Sequence, residues 1–133
     1  MILEKNNTTS YNWDNIVEEK FDCETGLVIT KRQIVGKIKI RKTVYSTNYL
    51  ADHWCENWQI VFIFSGQPSS KHKDILEFTL HCGWIYVVGD NSMAHKANSK
   101  EGAIVLKNNL YISALLSNRP LLFVKLKKYL GFD

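Results

Sequence analysis

Between Leu27 and Asn48 stand six basic residues and no acidic one: Lys31, Arg32, Lys37, Lys39, Arg41 and Lys42. Lys37, Lys39 and Arg41 alternate with Ile38 and Ile40, the pattern of a strand with one apolar and one cationic face. Residues two apart on a strand lie about 6.6 Å apart, so these three would present cations at roughly the phosphate spacing of a nucleic-acid strand. Lys31 and Arg32 just upstream, with Lys125, Lys127 and Lys128 near the C-terminal end, extend the candidate nucleic-acid-binding set. An ordinary solvent-facing sheet, or an edge strand guarded against aggregation by lysines, gives the same pattern.

Other chemistry is sparse. Tyr45, Tyr49, Trp54 and Trp58 follow the basic run and could stack bases, yet their helical offsets opposite Asp52 and Glu56 read as core. His53-x-Cys55 and the adjacent His81 and Cys82 suggest metal ligation. On a helix the first pair would diverge by about 200°, and on a strand the second would face opposite sides, so neither pair could share an ion. For the same reason His81 could not serve a Cys82 thiolate as base. Asp52 with Glu56 and Asp14 with Glu18 are carboxylates one helical turn apart, which solvated helix faces explain. Asp74, Glu77 and Asp90 near strand ends would need a converging lysine to make a metal-dependent nuclease. With no phosphate-cradling glycine loop or dinucleotide fingerprint either, the expectation is no catalytic residue, no metal and no cofactor.

These residues need elements to hold them. Trp13, Ile16, Val17, Lys20 and Phe21 fall at helical spacing after Ser10 and predict a first helix of about ten residues. Leu27 to Lys31 and Ile34 to Val44 predict two paired strands, with Gly36 marking a bulge or a close backbone approach. Tyr49, Leu50, His53, Trp54, Asn57 and Trp58 predict an amphipathic helix. Ile60 to Phe64, Leu76 to Cys82 and Trp84 to Val88 predict three more strands. Asn98 and Glu101 resemble a capping box ahead of an apolar helix from Ala103 to Leu116, although Gly102 weakens it. Pro120 and Gly131 bound a last helix at Leu121 to Leu130, a stretch that also fits a strand. The sum is an α+β domain spanning 1–133, a mostly antiparallel sheet of about five strands with helices on one face, in the order αββαβββαα.

The totals bound the rest. A chain of 133 residues with 45% hydrophobic content can build its own core. The net charge of +4 is divided into blocks: residues 27–48 and 96–133 are basic, residues 1–26 and 49–95 acidic. Cys23, Cys55 and Cys82 form an odd set, and the polar, Asn-rich beginning has no apolar core of a secretory signal, so reduced thiols in the cytoplasm are expected. No apolar run approaches the roughly 20 residues of a membrane helix. The expectation is a non-enzymatic binding protein whose cationic sheet face docks a polyanion, most plausibly nucleic acid. The alternative is an inhibitor, immunity or antitoxin-type module that recognises an acidic protein surface.

Overall fold

A computed structural model describes residues 8–55, 58–73, 76–89 and 94–110. β-Branched and aromatic side chains dominate these stretches and place them in extended backbone. After a short 3-10 turn (Trp13–Asn15) come eight strands. They are β1 (Glu18–Asp22), β2 (Leu27–Val35), β3 (Ile38–Leu50), β4 (Gln59–Gly66), β5 (Ser69–His72), β6 (Glu77–Thr79), β7 (Ile85–Val88) and β8 (His95–Leu110). All pairings are antiparallel, in the spatial order β1-β2-β3-β8-β4-β7, with β5 joined to β8 and β6 to β5.

The 16-residue β8 is the seam. One of its edges pairs with β3 from Leu50↔Asn98 to Ile38↔Leu110. Its other edge takes β5 at His95 to Asn98 and β4 at Ala103 to Asn108, so one strand ties both parts of the sheet. Gly66 and Gly102 make the bend between these two stretches possible, both at positive φ (82° and 88°), and a Cβ on Gly66 would stand 2.3 Å from the Gly102 carbonyl oxygen. A second kink falls at Asn48 (φ 55°), between Tyr45 and Tyr49. On a straight strand those residues would lie about 13 Å apart; here their rings stack at 4.3 Å.

The α+β expectation is thereby corrected, because the described residues contain no α-helix. The first predicted helix is the 3-10 turn followed by β1, and the one over Tyr49 to Trp58 begins as the end of β3 and continues over residues 51–55 as irregular backbone; residues 56 and 57 lie outside the described residues. The start of the third, Ala103 to Leu110, is strand; the segment Leu121 to Leu130 lies outside the described residues. In each case a helix-like periodicity competed with long-range pairing, and pairing on both edges decided for β8. The predicted hairpin forms, but it turns at Gly36 and Lys37, not at Lys31 to Gln33. No described helix is long and apolar enough to cross a membrane.

The core gathers Tyr45, Tyr49, Ala51, Val61, Ile63, Leu80, Ala103 and Val105. Directly paired residues in a sheet share a face, so the register writes rows across the inner surface. Phe21, Val28, Tyr45 and Ala103 form one row, and Thr30, Thr43, Val105 and Ile63 the next. The third runs Arg32, Arg41, Lys107, Val61, Tyr86. Arg41 therefore shares the face of buried Thr43 and Tyr45, while Ile38, Ile40 and Val44 look the other way.

Candidate functional site

The sheet curls until its two parts face each other across a cavity of about 460 Å³, of the size that holds small organic ligands. One wall is cationic. Arg41 and Lys107, paired across β3 and β8, both line it. The Arg41 Nε is buried without a hydrogen-bond partner. Burial lowers the pKa of this guanidinium, though an arginine stays charged even so. The Lys107 ammonium lies 5.0 Å from the centre of the Tyr45 ring, a cation–π contact that leaves its hydrogen-bond donors to other partners. Thr30 and Thr43 bring two hydroxyls 3.2 Å apart to the same wall.

The ion pairs of the described residues involve neither Arg41 nor Lys107: they join Arg32 with Glu19 at 2.9 Å, Lys96 with Glu24 at 3.1 Å, and His53 with Asp52 at 2.8 Å. Asp22 and Asp52 also line the cavity, but both are exposed, and Asp52 is held below its ordinary pKa by its hydrogen bond to His53. The inner wall thus holds positive charge with no carboxylate bridging it among the described residues.

Elsewhere the lining carries the His95 imidazole. His95 is 6% exposed, its Nε2 lies 3.0 Å from the Gln59 amide nitrogen, and its Nδ1 is buried without a partner. The same amide nitrogen reaches Cys55 Sγ at 3.3 Å, which points its N–H groups at both neighbours. An imidazolium needs acceptors on both nitrogens and finds a donor on one side and nothing on the other. Burial, with nearby His72 and Lys107, pushes His95 down to about 4, so it is neutral at pH 7. Beside it His72 packs with its ring centre 5.7 Å away, and His72 Nε2 meets the Tyr86 hydroxyl at 2.6 Å. That hydroxyl also donates to Ser70 Oγ at 3.1 Å. Burial raises the Tyr86 pKa, against the effect of Ser70.

Among the described residues no three His, Cys, Asp or Glu side chains converge as a metal site. Cys55 and His95 meet through a backbone bridge, but the Gln59 amide occupies the place between their donor atoms. His53 and Cys55 lie on irregular backbone, so the helical geometry expected to separate them does not apply. His81 packs on Trp84 and Cys82 donates to the Phe64 carbonyl, each away from this cluster.

The sequence-predicted cations do not form one exposed row. Lys31 reaches the Trp13 carbonyl from the outer face, Arg32 is paired with Glu19, and Lys37 is exposed in the β2–β3 turn. Lys39 and Arg41 face inward, and Lys125, Lys127 and Lys128 lie outside the described residues. The alternation was legible, but the face was inverted. Sequence reading missed Lys107, His95, Gln59, Tyr86 and His72. For Lys107 the alternation Ala103, Val105, Lys107, Asn109 was a signal that a helical reading of the same stretch hid. The others come from separate strands with no motif in common.

This architecture is a β-sandwich of the cupin, or jelly-roll, type. Among solved structures the chain resembles a putative ethanolamine utilization protein from Salmonella typhimurium, with a TM-score of 0.66 and 9% identity, covering 82% of this chain and 90% of that one. It also resembles a predicted oxalate decarboxylase from Thermotoga maritima, with a TM-score of 0.64 and 10% identity, covering 77% and 98%. An RmlC-like cupin from Shewanella frigidimarina matches with a TM-score of 0.55 and 14% identity, covering 81% and 92%. No protein-family model matches the sequence, and no curated protein does. The cupin fold and the inward row overturn the expectation of a module that docks nucleic acid through an exposed cationic face.

Proposed function

We propose that this chain binds a small anionic molecule inside its sandwich, with Arg41 and Lys107 holding the anionic group. The observation that carries the reading is a half-buried arginine whose Nε is buried without a partner, beside a lysine on one cavity wall, with no carboxylate bridging either among the described residues. Desolvated charge without a partner costs stability, and a bound carboxylate or phosphate offsets that cost through charge-assisted hydrogen bonds. Thr30 and Thr43 add hydroxyl oxygens to the same wall, and the cavity volume suits a compact organic ligand. An odd set of three cysteines, with no disulfide among the described residues, suits a reducing, cytoplasmic setting.

Titration calorimetry with a panel of carboxylates and phosphate esters tests this: at least one should bind the wild type, and Arg41→Met should lose it. Equal binding by the variant would end the reading.

A further inference from the structure

Resting on the reading of the cavity as an anion site, we infer that its ligand is an amphiphilic monoanion, a carboxylate at one end of an apolar alkyl or aryl body. The lining changes character along β3. Arg41, Thr43 and Tyr45 occupy alternate positions about 6.6 Å apart on one face of the strand, and all three line the cavity. Their register partners in the lining repeat the change: Lys107 beside Arg41, Thr30 beside Thr43, and Val28 with Phe21 beside Tyr45. The surface thus passes from cationic to hydroxylic to apolar within about 13 Å.

Lys107 marks the junction, its ammonium 5.0 Å from the centre of the Tyr45 ring. An anion held by that ammonium sits next to aromatic surface, which the Tyr49 ring, stacked on Tyr45 at 4.3 Å and also in the lining, extends. The far end disfavours a second negative charge. Asp22 and Asp52 line the cavity there: burial raises the pKa of Cys23 and both carboxylates push it the same way, while Tyr49 is raised by burial and also by Tyr45, Cys23 and Asp52. A second anionic group placed among these rings would leave water and meet like charge, whereas methylenes or an aryl ring would gain by leaving water. The chemical class is therefore a medium-chain or arylalkyl monocarboxylate.

The test measures wild-type affinity for butyrate, hexanoate and octanoate, with suberate and octanol as separate arms. Affinity should rise at least about tenfold from butyrate to hexanoate and again to octanoate, because each buried methylene adds about three- to fourfold. Suberate, as long as octanoate but ending in a second carboxylate, should bind at least about tenfold more weakly than octanoate. Phe21 is half exposed on the edge strand β1, so Phe21→Ser leaves the core in place, as circular dichroism would verify. That variant should lose several-fold in octanoate affinity and bind butyrate as wild type does. Affinity independent of chain length, suberate bound as tightly as octanoate, or full octanoate affinity in Phe21→Ser overturns the inference and leaves the anion site standing. Octanol bound as tightly as octanoate, or octanoate affinity unchanged in Arg41→Met, removes the anion site and the inference with it. If no anion binds, both fall together.

Discussion

Arg41 offers the sharpest perturbation, because stability and binding should move in opposite directions when it is replaced by Met. Its Nε has no partner and its burial disfavours the charged form, so the folded apo protein carries an uncompensated desolvation cost. Replacing buried charge by an apolar side chain of similar length typically stabilises by about 1–3 kcal/mol. For a chain of 133 residues, about 4 °C of melting temperature per kcal/mol gives a rise of roughly 4–12 °C. Ligand at 100 times its Kd should stabilise the wild type by about 2.7 kcal/mol and leave the variant where it was. Thermal unfolding of both proteins, with and without the tightest-binding anion, reads all four states. An apo Arg41→Met variant destabilised by more than about 1 kcal/mol would refute the reasoning. It would mean that the guanidinium is satisfied in the empty protein and serves the fold.

Further outcomes follow from the same geometry. His95 titrates at about 4 when folded against an ordinary 6.5, so between those values the unfolded chain takes up a proton that the folded one refuses. Its contribution is complete above about pH 6.5 and is lost as the pH falls towards 4, up to roughly 3 kcal/mol; urea titrations of wild type and His95→Gln should differ in slope across that window and run parallel above it. Tyr86→Phe removes the hydroxyl that meets His72 and Ser70 and should cost about 1–2 kcal/mol in the same assay. Gly66→Ala forces a Cβ against the Gly102 carbonyl at positive φ and should destabilise by more than about 2 kcal/mol, measured by urea unfolding. Cys82, the exposed thiol, should react with Ellman's reagent well before Cys23, whose pKa is raised by burial.

What was legible in the sequence was local: the β2–β3 hairpin, the extended character of Ile60 to Phe64 and Ile85 to Val88, and the cationic alternation around Lys39 and Arg41. A period of two says that a strand has two different faces, but both faces of β3 offered a plausible interior. On that period alone the aliphatic side, Ile38 and Ile40, reads as the buried one. The parity of Arg41 with Thr43 and Tyr45 held the contrary signal, since a buried tyrosine two pairs further on fixes which side turns inward.

The rest depended on partners distant in the chain. Tyr49 to Trp58 and Ala103 to Leu110 carry residues at helical offsets, and only the ladders that β8 forms with β3, β4 and β5 made extended backbone the better solution. His95 meets Gln59 across 36 positions, and Tyr86 meets His72 across 14. Sequence alone therefore determined a chain of strands with a run of concentrated positive charge. The tertiary structure decided that Arg41 and Lys107 line a cavity together with His95, because pairing on both edges of β8 brings residues of distant strands onto one lining.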